Sequence, residues 1–128
     1  MDMQIIKTEN RLCTCCMEKH EVKTVLVREQ ATFKQLTVSF DACYLYCDLA
    51  DELYANETQM QENDIRLKDA YRKAEGLLTS AEIMDIRAKY GISQSDLCIL
   101  LGWGAKTITR YEGHQVQDRA HDTILKKI

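Results

Sequence analysis

The chain has no proline and only five glycines in 128 residues. No long Pro/Gly linker therefore separates its parts. No apolar run approaches the ~20 residues needed to cross a bilayer. The opening "MDMQIIKTENRL" lacks the apolar core and cleavage site of a signal peptide. A cytoplasmic location is the expectation. There thiols stay reduced, so the six cysteines read as metal ligands or buried thiols rather than disulfides. Signatures of catalysis are missing as well: no Gly-rich phosphate loop, no zinc-protease helix and no nucleophile elbow. His114 and His121 have no nucleophile and orienting partner in view. The chain does not read as an enzyme.

What is present is ordinary in amount and uneven in placement. Hydrophobic residues make up 45% and charged residues 29%, with a net charge of −3. That suits one globular domain or two small ones. Residues 1–78 hold 10 Lys+Arg against 14 Asp+Glu, whereas residues 87–128 hold 7 against 4. The basic C-terminal part is compatible with nucleic acid. The acidic N-terminal part suits a protein partner.

The fold class reads as α+β: a small antiparallel β domain, zinc-finger-like, followed by an all-α domain of about five helices. Domain bounds are placed at 1–55 for the β part, 56–76 for a connecting helix and 77–128 for the helical part. "VKTVLV", "LTVSF" and "ACYLY", within residues 22–46, are dense in β-branched and aromatic residues and alternate in polarity. Leu36, Val38 and Phe40 fall on one face, Thr37 and Ser39 on the other. This meander is poor in apolar residues and asks for a staple. From about Asp48 the period becomes helical, and "NETQMQENDIRLKDAYRKAEGLL" reads as a solvated helix stopped at Gly76.

Caps mark the next helices. Thr79 and Glu82 form a capping box, and Gly91 is an αL stop. Ser93 caps a helix whose buried stripe is Leu97, Leu100 and Leu101. Gly102 and Gly104 bracket a break at Trp103. The following helix spans about Ala105 to Glu112, with Ile108 and Tyr111 inward. A last helix starts near Asp118, with Ile124 and Leu125 as its apolar side.

Two short helices joined by a glycine-bearing turn are the helix-turn-helix arrangement, in which the second helix enters the major groove. Here that helix offers Lys106, Thr107, Thr109 and Arg110 on its exposed face. Arg and Lys bond guanine O6/N7; threonine bonds bases weakly or touches the thymine methyl. Gln94, at the start of the first helix, is placed to hold a phosphate. The bland alternative is a helical hairpin with a solvated charged face.

"GISQSDLCILLGWGAKTITRYEGH" resembles the XRE/Cro-type helix-turn-helix family: Ser/Thr-Gln, an apolar helix, a Gly turn, then a helix ending in Arg-Tyr-Glu. With its cysteine-bearing N-terminal part, the chain is similar over nearly its full length to the MqsA-type antitoxins, the YgiT-type zinc-finger/helix-turn-helix proteins. The resemblance implies a repressor of its own operon. It also implies a homodimer through the C-terminal domain on a palindromic operator, and a toxin bound by the N-terminal zinc part. It places the two base readers on Lys106 and Arg110. The family commonly has asparagine at position 106; lysine shifts the expected base from adenine to guanine.

Cys13 and Cys16 form a Cys-x2-Cys turn whose thiolates reach one Zn²⁺ at ~2.3 Å. The family's second pair reads Tyr-Cys-x2-Cys. Cys47 matches its first member, but Ala50 stands at the second. The ligand set expected is Cys13, Cys16, Cys43 and Cys47. His20 is the alternative fourth ligand, through Cys-x2-Cys-x3-His, with Asp48 and Asp51 weaker; Cys15 is a bystander, with Cys13-Cys15 as the alternative metal pair. Such a closed site is structural and would staple the sheet. Loss of the metal, leaving buried thiols, is the other outcome.

Two functions from different classes stand side by side. One is a sequence-specific repressor and antitoxin. The other is a protein-interaction adaptor that keeps the helix-turn-helix only as a dimerisation scaffold, with no DNA affinity above the non-specific level.

Overall fold

The computed structural model describes residues 3–128. It is mixed α+β, with four strands followed by five helices. The strands are β1 (Met3–Leu12), β2 (Lys19–Phe33), β3 (Leu36–Cys47) and β4 (Glu52–Tyr54). The helices are α1 (Glu57–Ala74), α2 (Ser80–Tyr90), α3 (Gln94–Leu101), α4 (Thr107–Tyr111) and α5 (Arg119–Lys127). The chain forms two compact units, the first ending at Leu67 and the second running Lys68–Ile128. Among the described residues no helix is long and apolar enough to cross a membrane.

In the first unit the strands form an antiparallel meander in the order β1-β2-β3-β4. The segments "LTVSF" and "ACYLY" are one strand, β3, and β1 is a strand the alternation rule passed over. Cross-strand partners such as Val27↔Ala42 and Glu29↔Phe40 share a face. Val25, Val27, Val38, Phe40 and Ala42 are therefore buried on one face, and Val22, Cys43, Leu45 and Cys47 on the other. The β2–β3 hairpin turns on Lys34 and Gln35, at φ 48° and 69°. Two successive positive φ values match the right-handed twist of the strands, and normally call for Asn-Gly.

The edge of β3 left uncovered by the short β4 is met by α1. Asn63 Oδ1 accepts from the Cys43 N–H at 2.8 Å, and Asn63 Nδ2 donates to the Cys43 carbonyl at 2.9 Å. Arg66 donates to the Asp41 carbonyl at 3.0 Å. The reading of residues 56–76 as a solvated helix is corrected here. Gln59 and Arg72 are buried while Met60 is exposed. The helix is anchored by hydrogen bonds from its polar side chains, which an apolar period does not register.

In the second unit the capping boxes at Thr79/Glu82 and Ser93/Asp96 are formed, and Gly91 and Gly102 end α2 and α3 at φ 63° and 72°. The core is Ile83, Leu97, Cys98, Ile108, Tyr111 and Leu125. Leu100, expected inside, is 70% exposed, and its neighbour Ile99 is 78% exposed. At about 100° per residue, Leu97, Cys98 and Leu101 span one face of α3, and Leu100 lies off its edge. Ile124 is likewise exposed, leaving Leu125 as the buried apolar residue of α5. α4 is shorter than expected, because Ala105 and Lys106 belong to the turn before it and Glu112 to its C-cap.

Arg72, fully buried, gathers the C-terminal end of α4. Its guanidinium donates to the carbonyls of Tyr111 (2.9 Å), Gly113 (3.3 Å) and Gln115 (2.7 Å), to Gln117 Oε1 (3.1 Å) and to Asp69 (2.8 Å). Each of its three nitrogens donates, as burial of a cation requires. Asp69 in turn accepts from the Ser80 N–H and hydroxyl. Asp122 accepts from the Leu78 N–H and from Gln117, and pairs with Lys126 at 2.9 Å.

Candidate metal centre and the exposed face of α4

The loop between β1 and β2 folds back on itself. The Met17 N–H donates to the Cys13 carbonyl at 2.7 Å and the Cys13 N–H to the Glu18 carbonyl at 2.8 Å, with Met17 at φ 64°. This curl turns the N–H groups of Cys15 and Cys16 toward the Cys13 sulfur, and that of Glu18 toward the Cys16 sulfur. β2 then carries His20, and the end of β3 carries Cys47, to the same place. The ligand atoms of Cys13, Cys16, His20 and Cys47 all lie within 4.8 Å of one another. Cys47 Sγ and His20 Nε2 are 3.7 Å apart, close to the ~3.6 Å edge of a tetrahedron with zinc–sulfur and zinc–nitrogen bonds of ~2.3 and ~2.1 Å.

Electrostatics at the site single out Cys13. Burial alone would raise the Cys13 thiol. Hydrogen bonds from Tyr54, the Cys16 N–H, His20 and the Cys15 N–H outweigh it and bring the thiol down to about 6. Tyr54 donates its hydroxyl to Cys13 Sγ at 3.4 Å, and burial and that sulfur push its own pKa up to about 12. Burial raises Cys16, against the Glu18 N–H. His20 is raised by its hydrogen bond with Cys13, against burial. Its Nδ1 lies 2.8 Å from the Glu21 carbonyl. With a metal bound, that contact would keep a proton on Nδ1 and leave the Nε2 lone pair for the ion, the arrangement metal-ligating histidines adopt.

Cys43 is not in this cluster, which corrects the expected fourth ligand. Four residues along a strand do keep a side chain on the same face. They also displace it by ~13 Å, far beyond what one ion spans. The Cys43 sulfur instead accepts from Gln59 Nε2 at 3.5 Å. The alternative ligand, His20, occupies the fourth corner. Cys15 stays outside the set, 3.6 Å from Glu52 Oε2; burial, Cys47 and Glu52 push its thiol up to about 11. Asp48 lies behind His20, 3.7 Å from Nδ1. Tyr54 was not foreseen, and nothing in the local spacing points to it.

The other candidate residues lie in the second unit. Lys106, Thr109 and Arg110 are exposed, and Thr107 is half-buried. Among the described residues neither Lys106 nor Arg110 pairs with a carboxylate. Gln94 is turned inward: its Nε2 donates to Glu112 Oε1 at 2.9 Å and its Oε1 accepts from the Thr109 hydroxyl at 2.8 Å. Glu112, nearly fully buried, is held by Arg87 at 2.5 and 2.8 Å, and that carboxylate raises the Arg87 pKa. Trp103 stacks on His121 at 4.0 Å, and the Tyr111 hydroxyl lies 2.8 Å from His121 Nδ1. Trp103, Tyr111 and His121 thus knit the unit together. Arg87 and Arg119 are engaged with Glu112 and Glu75.

No family model, curated protein or solved structure matches this chain.

Proposed function

We propose that the protein is a sequence-specific DNA-binding repressor in which α3 and α4 act as a helix-turn-helix. In this reading a homodimer sits on a palindromic operator, and Lys106, Thr109 and Arg110 meet base edges. What supports it most is a single observation: three exposed polar side chains, two of them cations without a carboxylate partner, stand together on α4 and the turn before it in an otherwise acidic chain. The Arg87–Glu112–Gln94 network behind them holds Thr109 in place. An exposed apolar pair, Ile99 and Leu100, lies at the end of α3, where a second copy would cover it. The first unit holds a structural Zn²⁺ through Cys13, Cys16, His20 and Cys47; three sulfurs and one imidazole in a closed set suit that ion. The resemblance to MqsA-type antitoxins extends the reading to a toxin bound by the first unit.

The test is selection of binding sites from random duplex DNA by the purified chain at two salt concentrations. A palindromic site whose affinity falls steeply with salt is the expected result. Recovery of nothing above background would sink the repressor reading and leave the adaptor.

A further inference from the structure

The direction of each hydrogen bond behind α4 can be traced from its charged end. Arg87 has only donors, and Glu112 as a carboxylate has only acceptors. Gln94 approaches the same Glu112 oxygen that Arg87 Nη2 holds, at 2.9 Å. It must present its NH₂ there, because its carbonyl would face a carboxylate. The Gln94 carbonyl therefore points the other way, to Thr109 Oγ1 at 2.8 Å. Only Thr109 can supply the proton of that contact. Its hydroxyl hydrogen is committed inward. Toward solvent the side chain offers an oxygen lone pair and a methyl.

We infer that Gln94 is a positioning residue that sets what Thr109 reads: Thr109 presents an acceptor and a methyl, and no donor, to the base pair it meets. The inference rests on the DNA-binding reading above and assigns a polarity to one of its contacts. In the major groove the complements of an acceptor are the amino groups of adenine N6 and cytosine N4, and that of a methyl is the thymine methyl; guanine N7 and O6 are not complements. Lys106 and Arg110 are donor-only. The face thus carries two donor heads that select guanine and one acceptor head that selects against it.

The experiment is site selection with the full chain as wild type, Gln94→Met and Thr109→Val. Methionine keeps the length and helix preference of glutamine without its polar atoms. Both variants are expected to change the preference at the same base pair of each half-site, by about 2- to 10-fold, with the other positions kept. A change at one shared position is not something a loss of general stability produces. If Gln94→Met leaves the motif unchanged, or weakens every position evenly, the inference is overturned. If Gln94→Met melts below the assay temperature, Thr109→Val at its exposed position decides alone, and an unchanged motif overturns the inference. A wild type that selects no site overturns the DNA-binding reading itself and this inference with it; a wild-type motif that Gln94→Met does not alter overturns only the inference.

Discussion

Cys43 and Cys47 show how much one side chain's position along a strand matters. Both face the same way, yet only Cys47 reaches the thiol cluster. In the zinc-bound reading, Cys47→Ser and His20→Ala lose the metal, whereas Cys43→Ser binds one equivalent as wild type does; metal content of the purified variants decides it. Asp122 gives a residue-scale statement about pH. Burial would raise its carboxyl, but the Leu78 N–H, Lys126 and Gln117 hold it below the usual value. A carboxyl lowered in the folded state contributes stability above its unfolded pKa, and that contribution is lost as pH falls through the folded value. Asp122→Asn is thus expected to cost about 1–3 kcal/mol at pH 7, with the gap to wild type closing below about pH 4. Urea melts at pH 7 and pH 3 read it.

At the scale of elements, the helices of the second unit are set by their ends. Gly102 stands at φ 72°, and a Cβ there would meet nothing within 4 Å. Gly102→Ala therefore costs strain alone, about 1 kcal/mol, seen as a lower melting temperature without loss of helix content. Arg72→Ala removes the donors that close the end of α4 and leaves buried carbonyls without partners; about 3–5 kcal/mol is expected, measured by denaturant unfolding. These two sites also mark what the sequence could reveal. The boxes at Thr79 and Ser93 and the stops at Gly91 and Gly102 are local signals within a few residues, and the structure forms them all. The carbonyl partners of Arg72 lie about 40 residues away, and no short-range pattern announces them. The hairpin at Lys34–Gln35 was hidden because it adopts a glycine conformation without glycine. His20 was legible as a spacing, Cys-x2-Cys-x3-His; choosing it over Cys43 needed the rise along a strand as well as its parity.

Among the described residues one hydrophobic cluster gathers around Cys13, Val22, Leu45 and Cys47 in the first unit and another around Ile83, Leu97, Ile108 and Leu125 in the second. Only the first contains the thiol cluster. In the zinc-bound reading, a chelator lowers the melting transition of the first unit and leaves the helical signal of the second near its starting value, as circular dichroism would follow. A single transition that shifts as a whole would contradict that separation.

The cluster also has a place in time. All four of its residues fall between positions 13 and 47, so residues 48–128 are synthesised after the last of them. At the pace of a ribosome that is about 4–16 s, during which the N-terminal unit can already fold. In the zinc-bound reading, the metal can be taken up by the nascent chain before the second unit is complete. Metal supply would then act on the yield of new protein more than on the finished molecule.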